Sequence, residues 1–457
     1  MPASILTIET PSLGDRSYLV HDGTVAFVID PQRDIDRMLN AAADAGVRIT
    51  HVFETHVHND YVTGGYALAR KVGAQYLVNA DDEVSFQRTP IRDGDLVEVS
   101  PELRVRAMLT PGHTFTHLSY VLEGAEPVVF SGGSLLYGST GRPDLLGEAH
   151  TDALAHDQYH SAQKLATELP PETKLMPTHG FGSFCSVTPS GGNATASTIG
   201  QERIGNPALS QGEEEYVSDV LAGLDAYPAY YVRMSPENAA GPSAADLSEP
   251  ERADKQELKQ RLEAGEWLVD LRTRTAFAAG HVPGTFNFGL DGQFVTYLAW
   301  LIPAGTPITL LGETTQEVAD AQRDLARVGI DRPAAAATGS PSEWTDGPLA
   351  RLEQASFADL AQVQHHRRVT VLDVRRNGEW AQGHLAGAVH IPLNDLLTRM
   401  DEVPAGEVWV HCASGYRASI AASLLTRAGR RVVSVDDSFD RSAAAAGLAL
   451  EAEHTAA

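Results

Sequence analysis

The chain carries the stretch THVHNDYVTGG, residues 55–65, directly after the apolar run RITHVFE. The run predicts a β-strand, and its carboxyl end then presents His56, His58 and Asp60 at alternate positions. Ligand-binding groups of α/β folds collect at such strand ends, and neutral imidazoles suit iron or zinc. The alternative is that two histidines and an acid only cap the strand and face solvent. Further ligands elsewhere in the chain would favour a metal site.

Two later segments place histidines in the same kind of position. TPGHTFTH, residues 110–117, contains His113, and MPTHGFGS, residues 176–183, contains His179. Each histidine follows an apolar run that predicts a strand. The sequence therefore predicts one metal-binding constellation made of His56, His58, Asp60, His113 and His179.

Length and charge bound the classes of protein to which the chain can belong. Its 457 residues exceed one ordinary core, so two to four domains are expected. The 35 basic and 60 acidic residues give a net charge of −25, which repels phosphate backbones and anionic membrane surfaces. No apolar run reaches the roughly 18 residues of a membrane span, and the N-terminal segment lacks the features of a signal peptide. We therefore expect a cytoplasmic protein without nucleic-acid or membrane partners.

The C-terminal half contains an internal repeat. WLVDLRTRTAFAAGHVPGTFNF aligns with TVLDVRRNGEWAQGHLAGAVHI, so that Asp270 matches Asp373 and His281 matches His384 at one common offset of 103 residues. A segment rich in proline, alanine, serine and acids precedes the first copy and predicts a linker. The predicted organisation is an N-terminal domain at 1–235, a linker at 236–254, and two similar α/β domains at 255–350 and 355–457.

The second copy contains a reactive-cysteine pattern, EVWVHCASGYRAS, at residues 407–419. A predicted strand ends at His411, Cys412 opens a loop, and a predicted helix follows. Backbone N–H groups in such a loop, together with the helix N-terminus, stabilise a thiolate, and Arg417 can pair with an oxyanion. The loop residues expected to bind an anion are Ala413, Ser414, Gly415 and Tyr416. The alternative is a buried structural cysteine.

This second copy resembles the rhodanese sulfurtransferases, through LDVR, GH-x-x-GA-x-x-IP and C-x-x-G-x-R. The resemblance implies that Cys412 takes a sulfane sulfur from a donor such as thiosulfate and passes it on as a persulfide, with Arg417 beside it. Further along the repeat the offset becomes 100 residues. In the first copy Gly312 then stands at the position of Cys412, and Glu317 at that of Arg417. The first copy is therefore expected to be inactive. His281 and its match His384 occur in both copies, so they are interpreted as stabilising the fold.

Residues 4–235 resemble the metallo-β-lactamase fold, an αββα sandwich. Within this range GRPDLLG (141–147) and STIGQERIGNPAL (197–209) resemble the branch that contains persulfide dioxygenases and glyoxalase II. Fusion to rhodanese-like repeats is similar to persulfide dioxygenase–rhodanese fusions. The resemblance implies oxidation of a low-molecular-weight thiol persulfide by O2 at Fe(II), with sulfite as product, and a dimer or tetramer. The predicted fold class is α/β: this sandwich followed by two rhodanese-like α/β domains.

The predicted metal site departs from that family at one ligand. The family's iron is held by two histidines, which map onto His56 and His113, and by an aspartate, whose position is occupied here by Gly133 in FSGGS. Tyr61 stands where dinuclear relatives have a further histidine. A three-histidine site of His56, His58 and His113 that holds Fe(II) or Zn, or a pocket without metal, both remain open.

Cys185, in GFGSFCSVT, is the second of two cysteines in the chain. Two widely separated cysteines exclude a disulfide framework and favour working thiols. Cys185 follows His179 closely, so it is a candidate pocket thiol that carries a persulfide, or else an inert packed side chain. The function expected is persulfide chemistry in the N-terminal domain coupled to sulfur transfer at Cys412. The alternatives are a metal-free persulfide carrier or regulatory protein, and a thioester hydrolase that resembles glyoxalase II.

Overall fold

The computed structural model describes residues 3–187 and 195–452. The chain forms two compact units, one made of residues 1–246 with 326–329 and the other of 247–325 with 330–457. Within the described residues no helix is both long enough and apolar enough to cross a bilayer.

The first unit contains two six-stranded sheets. Its strands are β1 (Ser4–Thr10), β2 (Asp15–His21), β3 (Val25–Ile29), β4 (Arg48–Phe53), β5 (Gln75–Asn79), β6 (Thr89–Ile91), β7 (Leu96–Ser100), β8 (Leu103–Leu109), β9 (Leu118–Glu123), β10 (Val128–Gly132), β11 (Lys174–Pro177) and β12 (Ser197–Thr198). The strand orders are β1-β2-β3-β4-β5-β6 and β12-β11-β10-β9-β8-β7. In the first sheet the pairs from β3 to β6 are parallel, and helices form the crossovers from β3 to β4 and from β4 to β5.

The first unit also contains helices, most of which cover the outer faces of the sheets. They are α1 (Asp36–Asp44), α2 (Gly65–Val72), α3 (Glu148–Glu168), α4 (Ile199–Gly205), α5 (Pro207–Ser210), α6 (Glu213–Gly223) and α7 (Tyr231–Ala240). α1 and α2 cover the first sheet with one apolar cluster, and α3 to α6 cover the second with another. Between the sheets a third cluster packs Phe27, Phe53 and Phe130 edge to face. This arrangement confirms the predicted αββα sandwich.

The predicted linker begins too early. α7 continues through Pro236 to Ala240, and Asn238 is buried because its side chain donates to the carbonyl oxygens of His58 and Tyr61 at 2.9 and 2.8 Å. Residues 236–240 therefore belong to the helix. Their composition favours a linker, but this long-range polar contact holds them in the fold.

The second unit contains two parallel α/β sheets. Its elements are α8 (Lys255–Glu263), β13 (Trp267–Asp270), α9 (Arg274–Ala279), β14 (Phe286–Asn287), α10 (Phe294–Leu301), β15 (Ile308–Gly312), α11 (Thr315–Arg327), β16 (Ala335–Thr338), α12 (Pro341–Trp344), β17 (Glu353–Ala355), α13 (Phe357–His366), β18 (Thr370–Asp373), α14 (Asn377–Gln382), β19 (His384–Leu385), β20 (Val389–His390), β21 (Glu407–His411), α15 (Tyr416–Arg427), β22 (Arg431–Val435) and β23 (Leu450–Glu451), with short 3₁₀ turns at Leu393–Asp395 and Met400–Glu402 and a π turn at Phe439–Ala443.

The two sheets repeat the same plan. Their orders are β14-β13-β15-β16 and β17-β22-β21-β18-β20. Asp270 ends β13 beside β15, and Asp373 ends β18 beside β21, with Asp373 opposite His411. The repeat found in the sequence is thus a structural repeat, and it places Gly312 and Cys412 at equivalent strand ends.

Candidate active sites

The predicted metal-binding residues lie together at one edge of the sandwich. β4, β8 and β11 end at Phe53, Leu109 and Pro177, and a histidine follows each strand within four residues. Ring centroids lie 4.1 Å apart for His56 and His58, 4.9 Å for His56 and His113, 5.4 Å for His56 and His179, and 5.3 Å for His113 and His179. All four rings and Asp60 are buried.

Each of these histidines has one buried ring nitrogen without a hydrogen-bond partner. These atoms are His56 Nε2, His58 Nδ1, His113 Nε2 and His179 Nε2, and both carboxylate oxygens of Asp60 are equally without one. Burying a polar atom without a partner is unfavourable, so a cluster of such atoms requires a group that satisfies them. Nitrogen and oxygen donors in this arrangement fit a transition-metal ion such as Fe(II) or Zn(II).

The opposite ring nitrogens are fixed, and this orients the rings. The Thr55 hydroxyl donates its proton to Asp30 at 2.8 Å, so it accepts from His56 Nδ1 at 2.9 Å. His113 Nδ1 donates to the carbonyl oxygen of Arg142 at 2.8 Å. His179 Nδ1 lies 2.9 Å from Asp15 Oδ1. For His56 and His113, such outer partners select the tautomer whose free nitrogen carries a lone pair.

Burial keeps two of these rings neutral. It holds the pKa of His56 well below its ordinary value and lowers the pKa of His113 from 6.5 to about 3, and neighbouring histidines act in the same direction. The neutral imidazole is the form that binds a metal ion. Both side chains are therefore in their ligand form at neutral pH.

His58 lies in a more acidic environment. Burial opposes a charge on this ring, but carboxylate oxygens of Asp30 and Glu54, each 3.3 Å from Nε2, raise its pKa to about 9. The Tyr61 hydroxyl lies 3.0 Å from the same nitrogen. Tyr61 is thus bound to His58 through its hydroxyl.

Gly133 follows β10, and His113 occupies the space beside it. A Cβ atom at this glycine would lie 2.3 Å from His113 Cδ2 and 2.7 Å from its Cγ. The Gly133 N–H donates to His117 Nε2 at 3.0 Å. The missing carboxylate is therefore accompanied by a local packing that has no room for a side chain.

The geometry divides the donor atoms into overlapping groups. Mutual separations within 4.8 Å join His56, His58 and His179, and also join His113, His179 and Cys185. His179 thus belongs to both groups, whereas the sequence placed His113 with His56 and His58. Cys185 is completely buried, which places it inside the cluster instead of at a pocket mouth.

The Cys412 loop connects β21 to α15. Cys412 is 1% exposed, and the Gly415 N–H donates to its Sγ at 3.2 Å. Gly415 has a φ of 96°, a left-handed conformation that aims this N–H back at the sulfur. The N-terminus of the twelve-residue helix α15 adds positive potential at the same point. The Cys412 sulfur thus lies at the N-terminus of α15, with a loop N–H group directed at it.

Arg417 is already engaged. Its Nη1 and Nη2 donate to Glu379 at 2.6 and 2.7 Å, and burial notwithstanding, this pair lowers the pKa of Glu379 from 4.5 to about 2. The sequence predicted Arg417 as a partner for a substrate oxyanion, and an incoming anion meets a guanidinium that Glu379 holds in place. The Tyr416 hydroxyl donates to the carbonyl oxygen of Gly289, so this side chain is directed away from the loop.

Family models match the chain in three ranges. The metallo-beta-lactamase superfamily matches residues 15–179, and the rhodanese-like domain matches residues 254–346 and 356–445. This chain joins a metallo-β-lactamase domain to two rhodanese-like domains. The ranges coincide with the sandwich and with the two parallel sheets described above.

Individual relatives agree with this assignment. The metallo-β-lactamase domain is similar to the hydroxyacylglutathione hydrolase-like protein of Mus musculus, with 32% identity over 148 residues, 32% of this chain and 50% of that protein. It is also similar to the mitochondrial persulfide dioxygenase of Homo sapiens, with 28% identity over 207 residues, 45% of this chain and 72% of that protein. The chain thus spans about half the length of the first relative.

A solved structure extends the likeness beyond the first domain. The metallo-beta-lactamase from Staphylococcus aureus subsp. aureus COL has 25% identity and a TM-score of 0.65, and the match covers 74% of this chain and 100% of that one. Three quarters of the present chain therefore share their fold with a solved protein.

The first rhodanese-like domain has no cysteine at the position of Cys412. β15 ends at Gly312, where Cys412 stands in the other domain. Glu317 Oε2 accepts from the backbone N–H groups of Glu313 and Thr314 at 2.6 and 3.2 Å. The N–H groups that would hold an anionic substrate are thus satisfied by the domain's own carboxylate.

The first rhodanese-like domain packs against the Cys412 loop of the second. Arg274 Nε donates to Asp436 Oδ1 at 2.7 Å, and Asp436 lies beside Gly415. The Ser419 hydroxyl donates to Asn287 Oδ1 at 2.6 Å, and the Asn287 N–H donates to Ser423 at 3.2 Å. Helix α15 is therefore held by its own domain and by the first rhodanese-like domain.

The shared histidines stabilise each copy. His281 stacks on Phe277 with centroids 3.8 Å apart and bonds its carbonyl oxygen. His384 stacks on Trp380 at 3.5 Å and makes the same carbonyl contact. The two histidines make the same kinds of contact, although only one copy contains a cysteine in its loop. This agrees with a role in the fold.

Several residues of the metal cluster were missed in the sequence. Asp15 and Asp30 hold His179 and Thr55. Asp30 directly follows the apolar strand β3, the same signal that located His56, whereas Asp15 begins β2 and carries no such signal. His117 lies within 5.0 Å of His56, but its Nε2 accepts from Gly133, so it supports the site and offers no free nitrogen.

Proposed function

We propose that this chain is a sulfur-metabolism enzyme that handles a thiol persulfide in its metallo-β-lactamase domain and transfers sulfane sulfur through Cys412. The observation that carries the proposal is the Cys412 loop: a buried sulfur at a strand end that accepts an N–H from Gly415, at the start of α15, in a rhodanese-like domain. The combination of both kinds of domain in one chain supports the coupling of the two steps.

The step at Cys412 balances with thiosulfate as donor. The Cys412 thiolate attacks the outer sulfur of thiosulfate, a new S–S bond forms, and the original S–S bond breaks. Sulfite leaves with the bonding electron pair, and the enzyme keeps a cysteine persulfide. The Gly415 N–H and the helix N-terminus stabilise the negative charge before and after transfer.

Substitution of Cys412 tests this step. Cys412→Ser should abolish thiosulfate turnover, because the hydroxyl is neither ionised nor comparably nucleophilic at neutral pH. Intact-mass spectrometry after thiosulfate treatment should show one added sulfur on the wild type and none on the variant. The variant should keep the metal content of the wild type, which controls for folding. Thiosulfate turnover by Cys412→Ser would refute the assignment.

For the metallo-β-lactamase domain we propose a bound Fe(II) or Zn(II) ion. Its ligands come from His56, His58, His113, His179 and Asp60, whose free donor atoms fit such an ion. When bound, the ion supplies Lewis-acid or redox chemistry in a site from which the protein excludes water. The chain itself orients the imidazoles through Thr55, Asp15 and the Arg142 carbonyl, and keeps His56 and His113 neutral.

Persulfide oxidation has one competitor in this domain, which is thioester hydrolysis. The likeness to a hydroxyacylglutathione hydrolase-like protein supports hydrolysis, and the likeness to a persulfide dioxygenase supports oxidation. The rhodanese-like domains favour the persulfide, since both sites would then use sulfane sulfur. A carrier without metal leaves the buried ring nitrogens unsatisfied, which the donor cluster argues against.

Metal analysis with two activity assays separates these functions. The expected result is iron in the purified protein together with O2 uptake that depends on glutathione persulfide or another small thiol persulfide. Zinc together with cleavage of a hydroxyacyl-glutathione thioester, and no O2 uptake, would establish the hydrolase. Absence of bound metal after supply of both ions would leave the carrier.

A further inference from the structure

Cys185 lies inside the metal cluster, and its loop is held firmly. Its side chain is fully buried, and its Sγ lies within 4.8 Å of a ring nitrogen of His113 and of His179. Its carbonyl oxygen accepts from the Arg142 N–H at 2.8 Å, while the Arg142 carbonyl accepts from His113 Nδ1 at 2.8 Å. One backbone position therefore fixes both the thiol and the imidazole that faces it.

The two imidazoles beside Cys185 lack partners on the side that faces the cluster. His113 and His179 are both 0% exposed, and the Nε2 atom of each has no hydrogen-bond partner. Gly133 offers no side chain, and a Cβ there would collide with His113. The Cys185 sulfur is thus a possible donor close to His113, whereas Gly133 supplies none.

We propose that Cys185 is a metal ligand that binds the ion together with His113 and His179, in place of a carboxylate at Gly133. The inference rests on the metal centre of the proposed function and names one of its ligands. On binding, the thiol releases its proton to solvent and a sulfur–metal bond forms, without oxidation or reduction.

The distances allow this ligation after a small contraction. Ligand atoms of a tetrahedral ion at about 2.0–2.3 Å lie roughly 3.3–3.6 Å apart. Donor atoms that lie within 4.8 Å of one another therefore need to approach by at most about 1.2–1.5 Å for each pair. Burial raises the pKa of the Cys185 thiol, so without a cation it stays protonated and uncharged. A bound ion reverses this preference, because a coordinating thiol is deprotonated.

Thiolate ligation has consequences for metal choice and for sulfur chemistry. A soft sulfur donor with two imidazoles favours Zn(II) or Fe(II) over hard ions such as Mg(II) or Ca(II). A sulfur bound to the ion is also unavailable as a carrier of persulfide. All sulfane sulfur that becomes covalently attached to the chain should then be found on Cys412.

Cobalt(II) provides the test, because thiolate ligation gives a sulfur-to-cobalt charge-transfer band in the near ultraviolet. The full-length wild type, Cys185→Ser and Cys412→Ser are stripped with a chelator and titrated with Co(II). The band should appear in the wild type and in Cys412→Ser, the matched loss of the chain's other cysteine, and be absent from Cys185→Ser. X-ray absorption of zinc-loaded Cys412→Ser should show one sulfur scatterer at about 2.3 Å.

The results of these experiments distinguish an error in the assignment of Cys185 from the absence of a metal site. Bound cobalt without a charge-transfer band in Cys412→Ser, or zinc without a sulfur scatterer, would overturn the assignment of Cys185 and leave the metal centre intact. Failure of the wild type to bind cobalt or zinc would overturn both. The absorption experiment on Cys412→Ser decides the question even if Cys185→Ser does not fold.

Discussion

Replacing Gly133 by aspartate restores the carboxylate of persulfide dioxygenases, yet we expect it to weaken metal binding. A Cβ atom at this position would lie 2.3 Å from His113 Cδ2. Carbon atoms in contact lie about 3.5 Å apart, so the ring or the end of β10 must move by roughly 1 Å. Overpacking of this kind costs about 1–3 kcal/mol. At about 1.4 kcal/mol per tenfold, this predicts a loss of metal affinity of roughly 5- to 150-fold if His113 absorbs the strain.

Competition with a chelator measures this effect on the wild type and four variants. Gly133→Ala adds only the Cβ, and Gly133→Asp adds the carboxylate as well, so their difference isolates the possible ligand. Gly124→Ala and Gly124→Asp are matched controls, because Gly124 lies in the same domain with nothing within 4 Å of an added Cβ. Both Gly133 variants should bind Fe(II) and Zn(II) more weakly than the controls. Tighter binding by Gly133→Asp than by the wild type would refute the steric reasoning.

Two further predictions concern the rhodanese-like domains. Gly312→Cys in a Cys412→Ser background should not restore thiosulfate turnover, because the Glu317 carboxylate occupies the loop's N–H groups. Adding Glu317→Arg should give higher turnover than Gly312→Cys alone. Substantial activity from Gly312→Cys without the second change would contradict this. Because the folded-state pKa of Glu379 is depressed from 4.5 to about 2, its pair with Arg417 stabilises the fold fully above about pH 4.5 and is lost as the pH falls toward 2. This lowering of the Glu379 pKa corresponds to about 3 kcal/mol of stability. The melting temperatures of the wild type and Glu379→Gln should therefore differ at neutral pH and converge in acid. A difference that does not change with pH would exclude this pair as the cause.

The sequence predicts those features of the molecule that depend on residues close together in the chain. Apolar runs followed by histidines located the strand ends of the sandwich, and the offset of 103 residues located the repeat. Comparison of Gly312 and Gly133 with their expected counterparts indicated which groups are missing. These inferences depend on a residue and its immediate neighbours, and short-range periodicity records both.

What the sequence did not predict depends on contacts between distant segments. Asp15 and His179 are 164 positions apart, and Glu379 lies 38 positions before Arg417. No periodic pattern connects such pairs, and their partners are decided only when the sheets pack. For the same reason the sequence left Cys185 as either a pocket thiol or an inert side chain, although the structure places it among the metal-cluster imidazoles.

The first rhodanese-like domain helps to position the helix that begins at the Cys412 loop of the second. Asn287 and Gly289 belong to the copy without a nucleophile, yet they bond Ser419 and Tyr416 on the helix that begins at the reactive loop. If Cys412 transfers sulfur as proposed, a substitution at Asn287 should lower that activity by disturbing α15, although Asn287 lies in the other domain. We therefore expect the first rhodanese-like domain to tolerate changes in its own loop at Gly312 better than changes at its contacts with α15.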